Sequence, residues 1–151
     1  MALAADITPN DLNVFLQEAD EILLLLDECI LKLERDGEDS ELIQEIFRAA
    51  HALKGSSAML GFTPMTELGH AMETLLDKIR KGTAKATTQV VDALLHSLDL
   101  LQALKDSLET GEDATVDTSA VVAELEQAGR SRRATGDVPG ETATTRVIRQ
   151  A

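Results

Sequence analysis

The chain has 151 residues, the length of one ordinary domain with a short tail, and 44% are apolar while only three, all Phe, are aromatic. A core of that composition has to be built from Leu, Ile, Val, Ala and Met, the residues of packed helices. The net charge of −13 excludes nucleic acid or anionic lipid held through a general electrostatic field.

The charge is unevenly spread. Five of the 14 bases but only two of the 27 acids follow Ala128, so residues 1–128 carry a net charge of −16. One cysteine, Cys29, permits no disulfide within the chain, and its place in a helical pattern marks a small core hydrophobe. No basic stretch leads into an apolar one at the N-terminus, and the aliphatic run Ile22–Leu26 falls far short of the roughly 20 residues that span a bilayer. The expectation is a cytoplasmic protein with neither membrane nor nucleic acid as a partner.

Five helical segments follow in order. The first opens with Thr8 as N-cap, Pro9 at the first helical position and Asp11 at the positive end of the dipole. Leu12, Phe15, Leu16, Ala19, Ile22, Leu23, Leu26, Ile30 and Leu33 recur at threes and fours until Asp36-Gly37 stops the pattern. The second runs from about Asp39 to Leu60, with Leu42, Ile46, Ala50, Leu53 and Leu60 on one stripe. Gly61-Phe62 turns the chain. Thr63-Pro64 repeats the Thr-Pro start signal for a third helix, which carries Met65, Leu68, Met72, Leu75, Leu76 and Ile79 and ends at Lys81-Gly82. Met59, Met65 and Met72 all fall at core spacing.

The fourth helix, about Thr88 to Leu108, places Val91, Leu94, Leu95, Leu98, Leu101, Leu104 and Leu108 inward before Thr110-Gly111 breaks it. A shorter fifth, near Asp117 to Ala128, turns Val121, Val122 and Leu125 one way. No strand alternation is sustained anywhere. The expectation is an all-α protein: an up-down antiparallel four-helix bundle with a fifth, accessory C-terminal helix. Residues 1–128 are expected to form the bundle, and residues 129–151, rich in Gly, Ser, Thr, Arg and Pro, a flexible linker towards a following domain.

One stretch asks for more than packing: Phe47-Arg48-Ala49-Ala50-His51-Ala52-Leu53-Lys54-Gly55. Lys54 and Gly55 stand at i+3 and i+4 from His51, on the same helical face. A glycine inside a helix costs about 1 kcal/mol against alanine, and access explains it, since a bare position one turn from the imidazole lets another protein approach the ring closely. The hairpin turn near Phe62 supplies a register. His51 lies eleven residues before it and Glu73 eleven after, with His70 three residues before Glu73. His51, Lys54, His70 and Glu73 are therefore expected in one neighbourhood. If Glu73 accepts the Nδ1 hydrogen of His51, Nε2 is left as a free and more basic nucleophile, and Lys54 can offset phosphate charge.

Phe47-Arg48-Ala49-Ala50-His51-x-Leu53-Lys54-Gly55, Leu60-Gly61-Phe62 and His70-x-x-Glu73 together resemble the histidine-containing phosphotransfer (Hpt) domains of CheA-type chemotaxis kinases. The resemblance covers roughly residues 8–128. It implies that His51 is a phosphoacceptor, that Glu73 is its hydrogen-bonding carboxylate, and that Lys54 and His70 are its catalytic neighbours. It implies further that His51 takes the γ-phosphoryl of ATP from a separate kinase ATP-binding domain, in trans within a dimer. His51 then gives it to an aspartate of response regulators of the CheY and CheB type. In such a scheme this segment belongs to a histidine kinase but holds no cofactor and no ATP site, and ATP and Mg²⁺ are used by the separate domain.

Other readings compete with this one, the first of them within the same class. A free-standing Hpt protein of a multistep relay would use the same residues. Glu67-x-x-His70 matches one unit of a di-iron carboxylate bundle, yet Arg48 and Ala93 stand where His51 and His96 would need a glutamate for a second unit. His51, His70 and Glu73 are also a conceivable zinc set. A purely structural bundle explains the stripes but neither Gly55 nor the polar pairings. His96, without a partner at a telling spacing, reads as structural.

Overall fold

The computed structural model describes residues 3–111 and 117–130, and all regular structure among them is helical. The elements are α1 (Pro9–Asp36), α2 (Ser40–Leu60), α3 (Thr63–Arg80), α4 (Thr88–Thr110) and α5 (Ser119–Arg130). Short turns force consecutive helices to run antiparallel. α1 packs on α2 and α4, α2 on α3, and α3 on α4, which closes a four-helix bundle; α5 lies across α3 and α4. Among the described residues no helix is long and apolar enough to cross a membrane.

Local chemistry sets the ends of the helices. Thr8 and Asp11 form a reciprocal capping box, the Thr8 hydroxyl accepting from the Asp11 N–H at 3.1 Å and the Thr8 N–H donating to the Asp11 carboxylate at 2.9 Å. Asp39 caps α2 by accepting from the Glu41 N–H at 2.9 Å. Gly61 closes α2 at φ +79°, and a Cβ there would come within 2.6 Å of the Ala4 nitrogen. The position needs glycine twice over, because the N-terminal segment crosses the turn and Ala4 donates to the Leu60 carbonyl at 3.0 Å.

The core is aliphatic, as the composition requires. Leu26 and Ile30 of α1, Ile46 and Leu53 of α2, Leu68 and Met72 of α3, and Leu94 and Leu101 of α4 are fully buried. Phe62, at the turn, is itself a core residue with no exposed surface. Cys29 is buried in α1 as expected and donates to the Glu45 carboxylate at 3.1 Å; burial, then this carboxylate, pushes its thiol up to about 11.

Four details differ from the sequence expectation. Thr63 is not the cap of α3: Phe62 occupies that position without a side-chain hydrogen bond, and Thr63-Pro64 form the first helical residues. The left-handed Gly61 turns the chain so sharply that the helix starts one residue early. Met59 is not core but 82% exposed, since it shares the outward face of α2 with His51 and Gly55. Leu95 is only half-buried. The fifth helix continues past Ala128 through Arg130, because Gly129 is small enough to seat against Leu75 and Lys78 of α3. The remainder of the expected linker, residues 131–151, lies outside the described residues.

Candidate phosphotransfer site

The α2–α3 hairpin brings His51 and Glu73 together across the helix interface, as the register about Phe62 requires. Nδ1 of His51 hydrogen-bonds Oε2 of Glu73, and Nζ of Lys54 donates to Oε1 of the same carboxylate at 2.7 Å. Both oxygens of one carboxylate are thus engaged by the two α2 side chains that sit on one face, three residues apart. The His51 side chain is 64% exposed while that of Glu73 is only 14% exposed. A ring facing solvent is anchored by a carboxylate held inside the groove between the helices.

Burial alone would raise the Glu73 carboxyl. The hydrogen bonds from Lys54 and His51, with their charges, outweigh that and hold it below its ordinary value of 4.5. Glu73 is therefore an anion at neutral pH and an acceptor towards Nδ1. An N–H at Nδ1 leaves the lone pair on Nε2, which has no hydrogen-bond partner among the described residues. The arrangement can present a nucleophilic nitrogen outward and stabilise positive charge on the ring from behind.

Gly55 leaves open space beside this ring: a Cβ built there meets nothing within 4 Å. The serines that follow turn towards other helices. Ser57 is buried and bonds the Thr66 hydroxyl at 2.9 Å, while Ser56 hydrogen-bonds Glu18 of α1.

His70 does not join the hydrogen-bonded group. One turn before Glu73, it is exposed on α3, where it borders a groove shared with Glu67, Thr74 and Lys78 and with α5. An i,i+3 spacing brings two side chains to neighbouring positions, yet Glu73 bonds the side chains of α2 while His70 stays exposed. Among the described residues, no three His, Cys, Asp or Glu side chains are grouped to hold a metal ion. His96 has a partner that spacing within one helix cannot reveal: its Nδ1 pairs with Glu124 of α5 at 2.8 Å, which ties α5 to α4.

Two residues shape the site in ways the sequence reading did not assign. Gly69 of α3 faces Lys54, and a Cβ there would lie 3.2 Å from the Lys54 Cβ. Its bareness lets α2 and α3 approach closely enough for Lys54 to reach Glu73. The hairpin register held the signal, since Lys54 is eight residues before Phe62 and Gly69 seven after. The other is Phe47, one turn before His51, whose ring lies parallel to the imidazole within 9°, with centroids 6.2 Å apart.

Comparison with known proteins agrees with this geometry. A family model described as "Hpt domain" matches residues 12–110. The chemotaxis protein CheA of Bacillus subtilis is 42% identical over 118 residues, which cover 78% of this chain and 18% of that protein. The chain spans between about a tenth and a fifth of the length of curated relatives it matches. The CheA phosphotransferase domain from Thermotoga maritima is 39% identical with a TM-score of 0.62, covering 64% of this chain and 92% of that one. The phosphorylated P1 domain of CheA3 in complex with CheY6 from R. sphaeroides shares the fold, with a TM-score of 0.73 at 21% identity over 81% of this chain and 97% of that one.

Proposed function

This chain belongs to the Hpt domain family, and from that premise we propose that it is the phosphotransfer domain of a cytoplasmic chemotaxis histidine kinase, with His51 as phosphoacceptor. The observation that carries the reading is an exposed imidazole whose Nδ1 is held by a buried carboxylate that Lys54 also engages. The likeness to CheA proteins over most of the chain supports the chemotaxis assignment.

The first step is attack of His51 Nε2 on the γ-phosphorus of ATP held with Mg²⁺ by a separate kinase domain, in trans within a dimer. The N–P bond forms as the bond from γ-phosphorus to the bridging oxygen breaks, and ADP leaves with that electron pair. The ring becomes cationic as its lone pair is donated. Glu73, already bonded to Nδ1–H, balances that charge and fixes the tautomer, as the orienting acid of a triad does. Lys54 offsets charge on the phosphoryl oxygens. His70, on the ridge of α3, supplies polar surface to the incoming partner.

In the second step an aspartate of a response regulator of the CheY or CheB type takes the phosphoryl group from Nε2, with the regulator's own Mg²⁺. The CheY6 complex formed by a domain of the same fold supports this class of partner. A tether to the kinase would hold the domain at high effective concentration, so the encounter itself need not be tight.

The test is transfer of radiolabel from the γ-phosphate of ATP, with a CheA catalytic core supplied in trans. Acid-labile, alkali-stable label on the wild type that is lost in His51→Gln is expected. Absence of label on the wild type, from a core active on its own phosphotransfer domain, would refute the reading.

A further inference from the structure

Of the three aromatic residues in this chain, Phe15 and Phe62 are buried in the core, but Phe47 is only half-buried at the edge of the α2–α3 interface. Two other groups engage its ring. The His51 imidazole lies nearly parallel to it, and the Arg80 guanidinium of α3 stands over it, 4.0 Å from the centroid. Arg80 is itself held by Asp77 at 2.7 Å, and Asp77 also binds Lys81 at 2.8 Å. Taken in sequence, Asp77, Arg80, Phe47 and His51 form a chain of contacts that begins on α3 and ends on the reacting ring.

We infer that Phe47, clamped by Arg80, is a positioning residue for His51, setting the tilt of the imidazole that Glu73 alone leaves free. The inference deepens the phosphotransfer reading and rests on it. A single hydrogen bond at Nδ1 fixes one point of the ring, about which the plane can still rock. A parallel aromatic ring restricts that rocking, because ring pairs with centroids about 4.5–7 Å apart favour defined offset arrangements. One constraint acts at Nδ1 and the other through the offset, nearly parallel ring beside it. Together they fix the direction of the Nε2 lone pair, which in-line attack on phosphorus demands. The Arg80 cation over the Phe47 ring fixes the ring in turn.

The experiment compares the full chain with Phe47→Leu, Phe47→Tyr and Arg80→Met. It measures phosphorylation by a CheA catalytic core in trans, together with the His51 ring proton and nitrogen signals by NMR. Phe47→Leu is expected to lower kcat on the order of tenfold with KM unchanged, and to move the His51 ring signals. Phe47→Tyr, which keeps the ring, restores both, and Arg80→Met shows an intermediate loss. A melting temperature within a few degrees of wild type separates positioning from unfolding. Wild-type kcat in Phe47→Leu would overturn the inference. If the wild type takes no label at all, the phosphotransfer reading fails, and the ring signals alone decide: identical His51 signals in wild type and Phe47→Leu overturn it as well.

Discussion

Substituting Gly55 should move stability and activity in opposite directions. Gly55 lies well inside α2 with ordinary helical backbone, exposed, and with nothing within 4 Å of the place an added methyl would occupy. Nothing in the fold asks for glycine there, so Gly55→Ala removes only the entropic penalty, about 1 kcal/mol of added stability. For a domain of this size that raises the melting temperature by about 4 °C. The larger Gly55→Leu also fits the free protein, yet its side chain stands one turn from His51 on the face a partner must approach. Phosphorylation of His51 and onward transfer should then fall by at least about tenfold, equivalent to ~1.4 kcal/mol in the barrier. Thermal unfolding and single-turnover phosphotransfer on the same preparations check both halves. Wild-type transfer rates in Gly55→Leu would refute access as the reason for the glycine; destabilisation in Gly55→Ala would refute the claim that the fold tolerates a side chain.

Glu73→Ala should keep the fold and slow phosphorylation on the order of 10²-fold, since it frees the tautomer of His51 and removes the charge behind the ring; single-turnover labelling reads this out. The Glu73 carboxyl is held below 4.5 in the folded chain, so its contribution to stability is fully present above that value and is lost as pH falls through the folded one. In urea unfolding, the stability gap between wild type and Glu73→Gln should therefore shrink as the solution is acidified below 4.5, and a constant gap would contradict the assignment. Lys105 of α4 is buried, its amine 2.6 Å from Asp20 of α1 and 3.5 Å from Glu109, while both carboxylates remain about half exposed. Because those carboxylates stay hydrated, Lys105→Met should change stability by less than about 1 kcal/mol, whereas Lys105→Ala, which also deletes the packed stem, should cost about 2 kcal/mol in denaturant unfolding.

The helices and their order were legible because they depend on local chemistry. Thr8 with Asp11, Asp39, Gly37 and Gly61 are caps and stops that act within a turn, and the stripe Leu42, Ile46, Ala50 and Leu53 buries one face whatever lies opposite. A tight turn at Gly61-Phe62 also sets the height at which antiparallel residues meet, so the His51–Glu73 pair followed from counting. What counting cannot supply is which side chains of other helices meet a given face. Those meetings are chosen by how all the helices pack together. That packing brought His70 to the groove beside α5, joined His96 to Glu124, and set Arg80 over the Phe47 ring, whereas Met59 and Phe47 face as His51 does by spacing along α2 alone. The separation of the helices was likewise a tertiary matter, set where bare Gly69 meets Lys54. The sequence by itself determined which residues could react and at what level of the bundle. The packing decided which of them meet across helices, because those neighbours are distant in the chain.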